Sequence, residues 1–402
     1  MHIFAPCPRG LEELLVAEFN QCGLTQVEQV GGGVRARATQ ESLYRANLHS
    51  RYASRILVRL AVGAYQKEED LYQMARKIAW HQWFDVSQSF KVSTTAVKSP
   101  LRSLDFATLR IKDAVCDRFR ADRGGRPNVN TDQPDQRIQL FLTETSATLY
   151  IDSSGSPLWQ RGYRGAAGQA PLKENLAAGL LALAGWNNTD EAGNPVYENF
   201  LDPMCGSGTI VIEAAWMRAN MAPGLNRRFS CERWQDADRS LWTKLRAEAR
   251  AQIRPIPPQT IFASDMHPGA IAATRRHLEQ VGLSDAVTLD QADFIGRGAP
   301  ATTGLLVSNP PYGVRLSEQE ELQAEYPEWG RTLKQQFSGW TAALFTADLE
   351  LTKGLGLKPR RRFPLKNGAL ECRLFVIDLV SGFHRKPKPS GTPDGSATVQ
   401  FN

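Results

Sequence analysis

A doubly wound parallel α/β sheet with an antiparallel hairpin at one edge, preceded by α+β modules, is the fold class the sequence predicts. Three observations carry it. Past residue 171 the chain alternates short apolar runs with amphipathic helical ones, the pattern of a parallel sheet covered on both faces. Near the end, RRFPLK and ALECRLFVIDL flank Asn367-Gly368, a strong hairpin signal. Before residue 155, the strand-like runs RILVRLAVGAY, SFKVSTTAV and IQLFLTETSATLYID mix with helical ones, as in one α+β module or two small ones.

In the first half, Phe106 to Phe119 predicts a helix with Leu109, Ala114, Val115 and Phe119 on the buried face and Arg110, Lys112, Asp113 and Arg118 toward solvent. SSGSPLWQRGYRGAAGQAP, rich in Gly, Ser and Pro, reads as a connector, with a linker over 156–170. Pro171 then suits a first helical turn, Leu172, Leu176, Leu180 and Leu183 follow at helical spacing, and Gly185 closes the helix. Four strands are predicted next, in YENFLD, TIFASD, AVTLDQAD and GLLVSN. Between the second and third, Pro268 opens a helix whose Ile271, Thr274, Leu278 and Val281 share a face and which ends at Gly282. The tail over 384–402 is basic and rich in Pro, Gly and Ser, and is expected to be disordered.

The 402 residues suit two or three domains, and 42% hydrophobic with 22% charged residues suits a packed protein. No apolar run approaches the roughly 18 residues of a membrane-spanning helix, and MHIFAPCPRGLEELL lacks the pattern of a secretion signal. Six cysteines stand singly, with no pair at metal-ligand spacing, so no metal is expected. A cytoplasmic location follows as the expectation. The net charge of +6 fits a polyanion partner, and the clustering says more. Lys358, Arg360, Arg361, Arg362 and Lys366 crowd one stretch, while Arg161, Arg164 and Lys173 lie near Trp159 and Tyr163. Cations interleaved with aromatics point to RNA, because guanidinium and phenol planes stack on unpaired bases.

The predicted strands end in Asp202, Asp265, Asp293 and Asn309. Ligands of an open α/β sheet sit outside the carboxyl ends of its strands, so these four side chains are expected to face one crevice. Asp202 opens DPMCGSGT, in which Gly206 and Gly208 permit a tight turn and a close backbone approach, and the helix from Thr209 offers free N–H groups. No Gly-Lys-Ser/Thr ends this loop, which sets it apart from the phosphate cradle of nucleotide hydrolases. With Asp265 to take ribose hydroxyls, and Asp293 beside Phe294 to take an exocyclic amine, the crevice suits an adenosine-containing ligand.

DPMCGSGT followed by NPPYG resembles the S-adenosylmethionine pocket and target-amine site of class I RNA methyltransferases. KVSTTAVKSPLRSLDFATLRIKDAVCDRFR and LYIDSSGSPLWQRGYR are similar to a THUMP RNA-binding domain and its exit. APLKENLAAGLLALAGW and FPLKNGALECRLF resemble segments of the bacterial 23S rRNA guanine-N2 methyltransferases of the RlmL type. The likeness covers roughly residues 1–383. It implies a ferredoxin-like part over 1–48, a THUMP-like domain over 49–155 and a Rossmann-like methyltransferase domain over 171–383. It further implies S-adenosylmethionine held by Asp202, Pro203, Cys205, Gly206, Ser207, Gly208, Thr209, Asp265, Met266, Asp293, Phe294 and Asn309. Well-known enterobacterial members carry a second, fused methyltransferase domain, so one activity is carried over to this chain rather than two.

The same likeness gives Asn309, Pro310, Pro311 and Tyr312 their role. An exocyclic guanine amine is a poor nucleophile and must be held in line with the methyl it attacks. Asn309 and the Pro310 carbonyl would accept its two N–H bonds, neither proline has an N–H to compete, and Tyr312 would stack on a flipped base. From Gly208 to Asp265 is a step of 57 positions, against roughly 20 in a plain dinucleotide fold. The excess, about 217–258, is expected to form a helical flap over the target nucleotide, with Arg227 and Arg228 on RNA. tRNA guanine-N2 and adenine-N6 methyltransferases share the Asn-Pro-Pro-Tyr logic and stay open as alternatives, as does a non-catalytic RNA-binding factor with a relic pocket. The sequence leaves the oligomeric state open.

Overall fold

The computed structural model describes residues 1–164, 172–311 and 316–380, and the side chains of all of these but 316–319. Pro171, Tyr312 and the 384–402 tail therefore lie outside the described residues.

Strands β1 (His2–Pro6), β2 (Thr25–Val30), β3 (Gly33–Arg37), β4 (Leu57–Ala64), β5 (Phe90–Ala96), β6 (Gln136–Leu142) and β7 (Ser146–Asp152) form one seven-stranded sheet, ordered β2-β3-β1-β4-β7-β6-β5. The two modules expected on either side of residue 48 share this sheet, because β4 pairs with β1 on one edge and β7 on the other. IQLFLTETSATLYID is a hairpin rather than a single strand. The Ser146 amide donates to the Thr143 hydroxyl and the Thr143 amide to the Ser146 carbonyl, which closes a turn inside the run.

Helices α1 (Glu12–Gln21), α2 (Gln40–His49), α3 (Glu68–Arg76) and α4 (Leu104–Arg123) pack on one face of that sheet, over Ile3, Val34, Val58, Leu140 and Ile151. On the other face Arg35, Arg37 and Arg59 are exposed, while Leu57, Tyr150 and Asp152 are buried. The Ser103 hydroxyl accepts from the Phe106 amide to start α4, and Gly124 at φ +72° ends it. Its buried stripe is Ala107, Ile111, Ala114, Val115 and Phe119. Leu109, placed on that stripe by sequence, is half exposed with Phe106, because Ala107 and Ile111 take the inner line.

The second sheet holds β8 (Phe200–Asp202), β9 (Ile261–Asp265), β10 (Thr288–Gln291), β11 (Gly304–Ser308), β12 (Trp340–Thr346), β13 (Arg361–Asn367) and β14 (Leu370–Asp378), ordered β10-β9-β8-β11-β12-β14-β13. It is parallel through β12, and β14 and β13 run antiparallel. The order reverses between β8 and β11, so a crevice opens there at the strands' carboxyl ends. The hairpin loop is Gly368-Ala369, one residue past the expected pair, since Asn367 already pairs with Leu370 and Gly368 supplies the positive φ of 62°.

Alternate strand residues enter two cores. Phe200, Ala263, Val307 and Phe345 meet α5 (Glu174–Ala184), α6 (Thr209–Arg218) and, beyond α7 (Arg239–Ala251), α8 (Pro268–Gln280). Leu201, Phe262, Leu306 and Leu344 meet α9 (Leu316–Gln336) and α10 (Leu351–Gly354). This is the doubly wound arrangement the sequence predicts.

The 217–258 stretch departs from expectation. Ala222, Phe229, Cys231, Trp234, Trp242 and Leu245 are buried in the core of the first sheet, not set over the crevice. Trp242 stacks on Tyr44 at 4.3 Å between centroids, and Trp234 meets Trp83 edge-on at 5.1 Å. The aromatics read as a flap are a brace joining the two halves.

Candidate functional site

At the crevice, a cavity of about 730 Å³ is bounded by Pro203, Met204, Gly206, Asp265, Met266, His267, Asp293, Phe294, Asn309, Pro310 and Pro311 on the sheet side, and by Glu321, Leu322, Glu325 and Trp329 of α9 on the other. Of the four strand-end residues expected to converge, Asp265, Asp293 and Asn309 do so.

Asp202 does not. β8 stops after three residues and the Pro203–Cys205 turn folds over its end, leaving Asp202 only 1% exposed beneath the floor. Its carboxylate accepts from the Ser308 hydroxyl at 3.0 Å and the Met204 amide at 3.3 Å, which fixes the loop and the last residue of β11 together. Burial pushes the Asp202 carboxyl up to about 7, with the Ser308 and Met204 hydrogen bonds pulling the other way.

A test follows from the sign of that shift. The folded protein holds the Asp202 proton more tightly than the unfolded chain. The stability tied to it is therefore full below the ordinary value of 3.8 and lost as pH rises through about 7. The span corresponds to on the order of 4 kcal/mol. Asp202→Asn keeps an acceptor for Ser308 and should flatten the decline, while Glu18, buried and also raised to about 7, keeps its share in both proteins. Urea unfolding from about pH 4.5 to 8 measures this. Parallel curves for the two proteins would refute the assignment.

Asp265 is built for polar work. One carboxylate oxygen accepts the Gly206 amide and the other the His267 amide, each at 2.9 Å, leaving a lone pair on each oxygen for a further donor. Gly206 sits at φ +54° with open space where a side chain would stand, so its backbone is bare to the cavity. At Gly208, φ +80°, an added Cβ would lie 2.8 Å from Thr274 of α8, and the loop is drawn against that helix. The Thr274 hydroxyl donates to the Gly206 carbonyl at 2.8 Å, and His277 Nδ1 lies 2.9 Å from the Ser207 carbonyl. Cys205 and Thr209 are buried behind the loop and do not line the cavity. Asp293 accepts from the Ile295 amide through one oxygen, at 3.0 Å, and is exposed.

Asn309 carries the most informative atom. Its Oδ1 is buried and accepts no hydrogen bond among the described residues. An orphaned amide oxygen costs about 1–3 kcal/mol unless a donor completes it, and this one belongs to a residue of the cavity wall. Charge sharpens the picture, for the lining holds Asp265, Asp293, Glu321 and Glu325 and, among the described residues, no Lys or Arg. Such a lining suits cationic or donor-rich ligands and repels phosphate. The α9 contributors went unforeseen in sequence.

Half of the cations expected on RNA are engaged elsewhere. Arg161 is buried, paired with Glu213 at 3.0 Å. Arg164 donates to the Thr209 hydroxyl and to the Leu172 carbonyl and sits 3.7 Å from Glu174. Arg227 donates to the carbonyls of Ser156, Pro157 and Gln160, and burial pulls its guanidinium down to about 10. Arg360 pairs with Asp378 at 3.3 Å. Lys173, Arg228, Arg361 and Arg362 remain exposed, with the Lys173 ammonium 5.2 Å from the Trp159 ring.

Residues 161–375 match the RMKL-like methyltransferase domain, 65–152 the THUMP domain and 2–57 the RlmL ferredoxin-like domain. The chain belongs to the RMKL-like methyltransferase family. It is 39% identical to the ribosomal RNA large subunit methyltransferase K/L of Desulfotalea psychrophila over 375 residues, 92% of this chain and 51% of that protein. The chain thus spans about half the length of the curated relatives it matches. Its fold is similar to the crystal structure of SMU.472 complexed with SAH, at 29% identity and TM-score 0.84, over 96% of this chain and 99% of that one. It is also similar to a Listeria monocytogenes protein named as a predicted N6-adenine-specific DNA methylase, at 28% identity and TM-score 0.82, over 94% and 95% of the two chains. Among the described residues no helix is long and apolar enough to cross a membrane.

Proposed function

We propose that this methyltransferase binds S-adenosylmethionine in the crevice and methylates an exocyclic amine of an RNA base, the guanine N2 of large-subunit ribosomal RNA. The observation that carries the reading is the buried, unpartnered Oδ1 of Asn309 on a wall shared with Pro310. The amide oxygen and the Pro310 carbonyl accept the two N–H bonds of the target amine and fix its orientation. Pro310 and Pro311 have no N–H of their own to offer it. The nitrogen becomes acidic only as its bond to carbon forms, so acceptors that hold it suffice and no strong base is required. Positioning of this kind lowers a barrier by up to roughly 7–11 kcal/mol.

The remaining lining fits the cofactor. The free lone pairs of Asp265 take ribose hydroxyls, bare Gly206 admits close approach, and Asp293 with Phe294 takes the amine and face of an adenine ring. S-adenosylmethionine supplies an electrophilic methyl on a sulfonium, and the acid-rich lining suits that positive charge. The SAH complex of SMU.472, a protein of similar fold, supports a cofactor of this class.

Adenine N6 is the second reading, favoured by the Listeria protein's name and by the likeness of the two amines. One experiment separates them. Total RNA is incubated with the protein and methyl-labelled cofactor, fractionated, and digested to nucleosides. The reading expects label in large-subunit rRNA as N2-methylguanosine. Label in N6-methyladenosine or in tRNA would overturn the base or the RNA assignment, and failure to bind the cofactor at millimolar concentration would overturn the whole.

A further inference from the structure

The outer face of the first sheet carries a second site, and we propose that it binds unpaired RNA nucleotides. It deepens the reading above and rests on it for the kind of partner. Alternation along the strands turns Phe4 of β1, Arg35 and Arg37 of β3, Arg59 of β4 and Tyr150 of β7 away from the helices. The ladders set Phe4 opposite Arg35, His2 opposite Arg37, and Arg59 opposite Tyr150. These residues line one depression of about 200 Å³ that crosses β1, β3, β4 and β7.

Among the described residues none of the three arginines makes an ion pair or a side-chain hydrogen bond, although most arginines of the expected RNA clusters do. Glu28, opposite Arg35 in the ladder, is the single acid of the lining. His2 is held below its ordinary pKa by the Arg59 charge first, then burial and the Arg37 charge, so the cations converge on one spot. Three exposed, unneutralised guanidinium groups around an open depression form an anion site, and the aromatics narrow the anion. Phe4 and Tyr150 lie 6.3 Å apart at 43°, too tilted to stack on each other, and Phe4 keeps part of its surface exposed while Tyr150 is buried beside it. A duplex has its bases already stacked and offers only phosphates. A single strand offers phosphates to the arginines and base faces to Phe4 and the guanidinium planes.

The test uses the full chain, a fluorescent twelve-nucleotide single-stranded RNA of mixed sequence, and the same RNA annealed to its complement. The wild-type protein should bind the single strand more tightly than the duplex. Arg35→Gln/Arg37→Gln/Arg59→Gln should weaken single-strand binding at least tenfold and reduce the slope of log affinity against log salt by about 2. Phe4→Leu keeps an apolar residue of similar size and should weaken single-strand binding about fivefold or more while sparing the duplex. Unchanged affinity and slope in the triple variant, or equal wild-type binding of both RNAs, would overturn the proposal. A cofactor titration on the same preparations separates this outcome from failure of the methyltransferase reading, since these residues lie outside the crevice and the variants should bind S-adenosylmethionine as the wild type does.

Discussion

Asn309→Ala is expected to lower kcat for methyl transfer by about 10²–10³-fold, the range found when one positioned hydrogen-bonding group is removed from a reaction centre. The reason is the orphaned oxygen. Without a ligand, Oδ1 is buried and unsatisfied, so the free protein bears its desolvation cost in every turnover. An incoming N–H removes that cost, and the bond is most valuable as the amine nitrogen gains positive character. The substitution should therefore act on kcat rather than on folding. It leaves β11 intact, since Leu305, Leu306 and Val307 are wholly buried and pair with β8 and β12. Asn309→Asp is the informative partner variant. It keeps an acceptor of the same size and adds a negative charge to a lining already rich in acids, so part of the rate should return as pH falls and the new carboxyl is protonated. Single-turnover rates with labelled cofactor provide the measurement. A loss of less than about fivefold in Asn309→Ala would remove Asn309 from the reaction centre.

How far the sequence revealed this can be traced residue by residue. Strand ends are legible because apolar runs stop at polar residues, and Asp265, Asp293 and Asn309 duly meet at one cavity. Asp202 looks identical in sequence. What separates it is that its strand has three residues and the following turn covers it, a tertiary event that leaves no local mark. β12 escaped because Trp340 to Thr346 is buried on both faces, and a continuous apolar run has no period to read. α9 contains Pro327 in its interior, which sequence rules treat as a break, so the helix that brings Glu321, Glu325 and Trp329 to the cavity was unmarked. The basic and aromatic clusters failed for a different reason. Arg161, Tyr163, Trp234 and Trp242 have the composition of an RNA surface, yet composition does not distinguish a surface from an interface between halves of one chain. The free arginines on the outer face of the first sheet are spread over β3 and β4 and form a cluster only once the strands pair.

Arg161→Ala should destabilise the fold by about 3–5 kcal/mol, the range for breaking one side of a buried ion pair. Arg161 and Glu213 are both essentially unexposed, at 1% and 0% of their side chains, with Nε and Oε1 3.0 Å apart. Burial is the largest single influence and would lower the Arg161 pKa, but the Glu213 charge and hydrogen bond, joined by the Glu174 charge, together outweigh it and leave the guanidinium above its ordinary value. The same guanidinium donates to the Arg51 carbonyl at 2.8 Å and the Leu158 carbonyl at 2.7 Å. It therefore ties α6 of the second sheet to the chain that follows α2 of the first. Truncation leaves the Glu213 carboxylate buried opposite Glu174, a like charge, and the halves lose their common donor. The cost is electrostatic and not a matter of side-chain volume, which the double variant Arg161→Leu/Glu213→Leu can show. Replacing a buried pair by apolar residues is often neutral, so the double variant should recover most of the loss despite carrying two substitutions. Urea unfolding at pH 7 decides it. A loss below about 1 kcal/mol in Arg161→Ala, or a double variant weaker than the single, would mean that packing rather than charge joins the two halves.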